Sequence, residues 1–129
     1  MKRFFEHRHR VGFEETNLVG NVYFSHHLRW QGRCREMFLA THAPSILDEL
    51  KGGLALVTVR VSCDYLLELE ALDEIAVRMT LEEMSQNRIR FAFHYFKLTA
   101  EGEELAARGE QEVATMRRQP DGGRKPCPL

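Results

Sequence analysis

One long helical pattern followed by four alternating runs limits this chain to a helix that a sheet must cover. From Tyr23 to Ala43 the residues Tyr23, Trp30, Cys34, Met37 and Phe38 return at helical spacing, with Arg29, Arg33 and Glu36 on the other side. Pro44 to Leu50 reads as a short second helix, and Lys51-Gly52-Gly53 stops it, as glycines past a helix end do. The period then changes to two. Val57, Val59, Val61 and Cys63 are predicted to share one strand face, Ile75, Val77, Met79 and Leu81 a second, and Ile89, Phe91, Phe93 and Tyr95 a third. Leu105 to Arg117 makes the last strand. Turn signals at Leu72-Asp73-Glu74, Ser85-Gln86-Asn87 and Glu101-Gly102-Glu103 suit an antiparallel meander. Residues 3–14 alternate loosely and supply a first strand, and residues 17–23 form the loop into the helix.

Strand, helix, then four strands predicts an α+β domain in which a curved antiparallel five-stranded sheet wraps a long helix, since each has one apolar surface to bury. The 129 residues make one domain over 1–118. Its core is small for its length, so pairing with a second copy is expected. Pro120, Gly122, Gly123, Pro126 and Pro128 break both helix and strand, so residues 119–129 read as a flexible tail whose removal should be harmless.

Eighteen Lys and Arg against nineteen Asp and Glu, net −1, give no overall electrostatic reason to bind nucleic acid or an anionic membrane. Cys34, Cys63 and Cys127 are odd in number, widely spaced and without a CxxC pair, which suits a reducing cytoplasm and argues against a thiolate metal site. Glu6, Arg8 and Arg10 interrupt any secretory leader after Phe5, and no apolar run is long enough for a membrane span.

The chemistry concentrates where the loop enters the helix. Backbone N–H groups near Phe24 are left over at a helix start and favour a negatively polarised oxygen. Asn17 cannot act as a base, but its amide can orient water, hold a carbonyl or simply make the turn. Glu14 and Glu15 are the nearest carboxylates; strand alternation sends them to opposite faces, and both are expected in solvent. An advance of about 100° per residue puts Phe24, Leu28, Gln31 and Arg35 on one helix face. Arg35 borders the apolar stripe, where a permanent cation can stabilise an oxyanion, enolate or carboxylate, or pair with Glu36 or a sheet carboxylate. His27, on the same flank, titrates near neutrality. His26 is expected at the surface, and the His7/His9 pair lacks a third metal ligand.

Gly12-Phe13-Glu14-Glu15-Thr16-Asn17-Leu18-Val19-Gly20-Asn21-Val22-Tyr23 and Leu28-Arg29-Trp30-Gln31-Gly32-Arg33-Cys34-Arg35-Glu36-Met37-Phe38 resemble the enediyne polyketide thioesterases, a branch of the hotdog-fold thioesterases of the 4-hydroxybenzoyl-CoA type. The resemblance runs to about Arg118. It implies a hotdog fold and release of a β-ketoacyl polyene from the acyl carrier protein domain of a polyketide synthase, followed by loss of carbon dioxide. It also implies Asn17, Arg35 and the Phe24 backbone as the catalytic groups, with His27, Thr58, Tyr23, Leu28 and Gln31 contacting substrate. The position of Asn17 is commonly Asp in the wider family, and that of His27 is more often tyrosine in this branch. No metal or dissociable cofactor is implied, because the substrate arrives on phosphopantetheine, and the assembly would be a tetramer of two dimers.

Overall fold

The computed structural model describes residues 3–129. Strand β1 (Phe5–Arg10) is followed by a single 3-10 turn (Phe13–Glu15), helix α1 (Ser25–His42), helix α2 (Pro44–Lys51), and strands β2 (Leu54–Tyr65), β3 (Glu74–Ser85), β4 (Arg88–Thr99), β5 (Gly102–Arg118) and β6 (Arg124–Pro126). The sheet runs β1-β3-β4-β5-β2, all antiparallel, with β6 added alongside β5. Helix α1 packs on β1, β2 and β3. Trp30 and Cys34 of α1 meet Val77, Met79, Phe93 and Tyr95 in the core, as their spacing predicts. This is the hotdog arrangement, a helix held in a curled sheet. Among the described residues no helix is long and apolar enough to cross a membrane.

Three expectations change. The first strand stops at Arg10, and Glu14 and Glu15 lie on the 3-10 turn, so the alternation that was to separate them does not apply. In β2 the register shifts between Thr58 and Arg60: Thr58 faces Val113, Arg60 faces Glu112, and Val59 is the extra residue. A bulge reverses the faces beyond it. Val61 and Cys63 therefore lie on the same side as Thr58, while Val57 turns to the other, and the four residues do not share one face.

The tail is the third correction. β4 begins at Arg88, opposite Ala114, so the last residues of β5 have no β4 partner. Residues 119–123 make a turn, with Gly122 at φ 89°, and Arg124–Pro126 pair with Met116–Arg118. An edge position tolerates the missing proline N–H. The buried Thr115 hydroxyl donates to the Cys127 carbonyl, and the Cys127 N–H donates to the Thr115 carbonyl at 2.9 Å. A composition that argues against structure is overridden by an open strand edge.

Candidate active site

A cleft of about 490 Å³ opens beside the start of α1, lined by Asn17, Asn21, Val22, Tyr23, Phe24, His27 and the segment Tyr65 to Leu69. The Asn17 Oδ1 accepts the N–H of Val19 at 3.0 Å and that of Asn21 at 3.2 Å. With the oxygen committed to its own loop, the amide nitrogen is the end left without a protein partner among the described residues. Asn17 is thus both the turn-maker and a pure donor toward the cleft, suited to a carbonyl oxygen. The loop is fixed in turn by Val22 N–H donating to the Leu69 carbonyl and Tyr23 N–H to that of Glu15.

Phe24 stands at the N-cap of an 18-residue helix with no side-chain cap. Its carbonyl accepts the Tyr65 hydroxyl at 2.8 Å, and its N–H has no acceptor among the described residues. That donor, at the positive end of the helix dipole, can serve a developing oxyanion.

His27 is only 3% exposed, and its ring lies 4.9 Å from Trp30, 4.7 Å from Tyr65 and 5.5 Å from Tyr95. Among the described residues neither ring nitrogen has a partner in good hydrogen-bond geometry, the backbone of Phe24 being the polar group that acts on the ring. Burial, with a smaller push from His26, pulls its pKa down from 6.5 to about 4, so the imidazole is neutral at physiological pH. Both nitrogens are themselves buried, so a polar group reaches them only if the rings packed around His27 move. As pH falls below 6.5 the unfolded chain takes up a proton that the folded chain refuses until about 4, so stability should fall across that window. Melting curves should show His27→Phe losing about 2 kcal/mol less than the parent protein between pH 7 and 4.5. Equal losses would mean that the ring is protonated while folded.

Arg35 lies elsewhere, at an apolar cavity of about 570 Å³ between α1 and the sheet, with Phe38, Leu39, Met79, Phe91 and Val113. Its guanidinium donates to the Gln111 Oε1 at 3.0 Å and, among the described residues, has no carboxylate within ion-pair distance, since Glu36 pairs with Arg33. Burial lowers its pKa from 12.5, with Glu36 opposing, yet the group stays cationic. Thr58 is exposed on β2 opposite Val113, close to this second group. Along the helix, Phe24 and Arg35 are about 16 Å apart. One protomer therefore holds the predicted site in two halves.

Other predicted contacts fare differently. Tyr23 lines the cleft. Leu28 is half-buried and lines neither cavity. Gln31, which the resemblance implies as a substrate contact, is fully buried, and its Nε2 donates to the Ser62 carbonyl at 3.0 Å, pinning the helix to β2. A Cβ on Gly109 would collide with that amide, so glycine is required there. Glu15 is not solvated but buried, accepting Gly12 N–H at 2.9 Å, His9 Nε2 at 2.7 Å and Trp30 Nε1 at 2.8 Å. His26, expected at the surface, is largely covered, 4.0 Å from the same carboxylate. Gln111 and Tyr65 were not singled out in the sequence, and Tyr95 was read there only as a strand-face residue; a lone Gln among the inward residues Ala107, Gly109 and Val113 was the available signal.

A family model described as the thioesterase-like superfamily matches residues 11–129. The structure of the dynemicin thioesterase, described with bound polyene, is 48% identical, with a TM-score of 0.93 over 98% of this chain and 89% of that one. That similarity bears out the enediyne-branch resemblance. A protein of Aquifex aeolicus (strain VF5) named as an esterase is 31% identical over 93 residues, 72% of this chain and 73% of its own. The 4-hydroxybenzoyl-CoA thioesterase of Pseudomonas sp. strain CBS-3 shares the fold at a TM-score of 0.83 and 14% identity, covering 98% of this chain and 94% of that one. The chain belongs to the thioesterase-like superfamily, as a hotdog-fold thioester hydrolase.

Proposed function

We propose that this enzyme releases a long β-ketoacyl polyene from the acyl carrier protein domain of an enediyne polyketide synthase. The observation that carries the reading is Arg35, a half-buried cation that has no carboxylate partner among the described residues and lies at the edge of a large apolar cavity. The similarity to the dynemicin thioesterase supports the polyene as the cavity's occupant.

Water attacks the thioester carbon, the C–S bond breaks, and the phosphopantetheine thiol leaves with a proton. The Phe24 N–H and the Asn17 amide hold the carbonyl oxygen as it gains charge, and His27 donates to or accepts from the polar head of the acyl group. The β-keto acid ionises to its carboxylate, which loses carbon dioxide to leave an enolate that Arg35 stabilises and that takes the proton back to become a methyl ketone. No attacking carboxylate is required, because preorganised donors supply about 3 kcal/mol each toward the oxyanion. No metal or separate cofactor enters this scheme.

The two halves of the site meet in a dimer. β2 is an edge strand whose outer side is unpaired among the described residues, with Val59 and Val61 exposed on it. Tyr65, at one end of β2, bonds Phe24; Thr58, nearer the other end, lies over the Arg35 region. Antiparallel pairing of two β2 strands about a two-fold axis lays one protomer's helix-start cleft against its partner's Arg35 and Thr58. Two such dimers make a cytoplasmic tetramer, in which Arg29, without an ion-pair partner among the described residues, is available to an acidic carrier protein.

Mass analysis of products formed with the loaded synthase is the test. A polyene methyl ketone should appear only with the enzyme present. If simple acyl-CoAs are turned over far faster than the carrier-linked polyene, the protein is a general acyl-CoA thioesterase; if it binds the chain without releasing it, it is an accessory acyl-binding protein.

A further inference from the structure

Strand β5 connects the two ends of the apolar cavity through alternate side chains on one face. Gln111 holds Arg35 by its Oε1, Val113 lines the wall, and Thr115 holds Cys127 through two hydrogen bonds. Gln111 and Thr115 are about 13 Å apart along the strand. Two residues past Cys127, Leu129 lines the same cavity as Arg35, as do Met84 and Ile89, and is 46% exposed. The β6 segment is thus fastened to β5, and the residues after it reach the wall of the cavity that Arg35 also borders.

We propose that β6 and the residues after it form the distal wall of the acyl cavity, and that Leu129 sets the length of chain the enzyme accepts. The inference rests on the reading that the acyl chain fills this cavity. A chain anchored by its carbonyl end toward Arg35 extends along β5 until it meets Leu129, Met84 and Leu81. Each methylene buried on the way contributes about 0.8 kcal/mol, so a wall that shifts by one or two methylenes changes discrimination roughly 4- to 15-fold.

The test measures kcat/KM of the full chain across straight-chain acyl thioesters from short to long. Leu129→Trp should lower kcat/KM about 10-fold for the longest members and leave the short ones unchanged. Leu129→Ala should do the reverse, extending activity to longer chains, and Thr115→Val, which removes the hydroxyl bond to Cys127, should shift selectivity in the same direction. Melting temperatures confirm folding for each. Uniform changes across the series, or none in any variant, would overturn the wall while leaving the cavity reading intact. No dependence on chain length in the parent protein would overturn the cavity reading itself.

Discussion

Asn17→Ala and Arg35→Ala should each reduce product release about 10²- to 10³-fold while leaving the protein folded, and co-expression of the two should restore about one quarter of the parent activity. Random pairing makes half of the dimers hybrid. In each hybrid, one site carries both substitutions and the other carries neither, if Asn17 and Arg35 reach a site from different protomers. Separately tagged chains and tandem purification isolate the hybrid, which should show about half of the parent rate. Arg35→Lys should recover little, because Gln111 and a developing enolate both use the planar, multi-donor head. Folded single variants that remain inactive together would mean that the halves do not meet across β2. Full activity in both single variants would remove the oxyanion scheme altogether.

Glu15 should give the largest effect on stability and little on chemistry. Both of its oxygens are occupied: Oε1 by Gly12 N–H and His9, Oε2 by Trp30. Burial alone would raise its pKa, but hydrogen bonds from Gly12, His9 and Trp30 outweigh it and hold the carboxyl below 4.5. Its stabilisation is therefore present at neutral pH and lost as pH falls through the folded value. Glu15→Ala strands a buried indole N–H and a backbone N–H, at a cost of about 3–5 kcal/mol. Glu15→Gln keeps the shape but must turn its NH₂ toward one of those donors, and should cost about 2–3 kcal/mol with kcat changed less than about 3-fold at a temperature where it is folded. A folded Glu15→Gln enzyme with kcat down about 100-fold would make this carboxylate the missing base.

The basis of each result is the difference between local and long-range information. Period-two runs located the strands, since Ile75, Val77, Met79 and Ile89, Phe91, Phe93 and Tyr95 all face the core as read. The bulge at Val59 was not legible, because one inserted residue leaves composition unchanged and reverses every face beyond it. Glu15 was misread for a related reason. Its three donors come from Gly12, His9 and Trp30, brought together by a turn and a helix rather than by strand alternation.

By itself the sequence determined the element order, the helix-start motif with Asn17 and Phe24, and the cation at Arg35, because periodicity and a continuous motif are properties of neighbouring residues. Only the tertiary structure decided that Arg35 leans on Gln111, that His27 is buried and uncharged, that Asn17 and Arg35 occupy separate cavities within one chain, and that the last residues close a strand edge. Hydrogen-bond satisfaction and burial depend on what packs against a side chain, and those partners come from residues far away in the sequence.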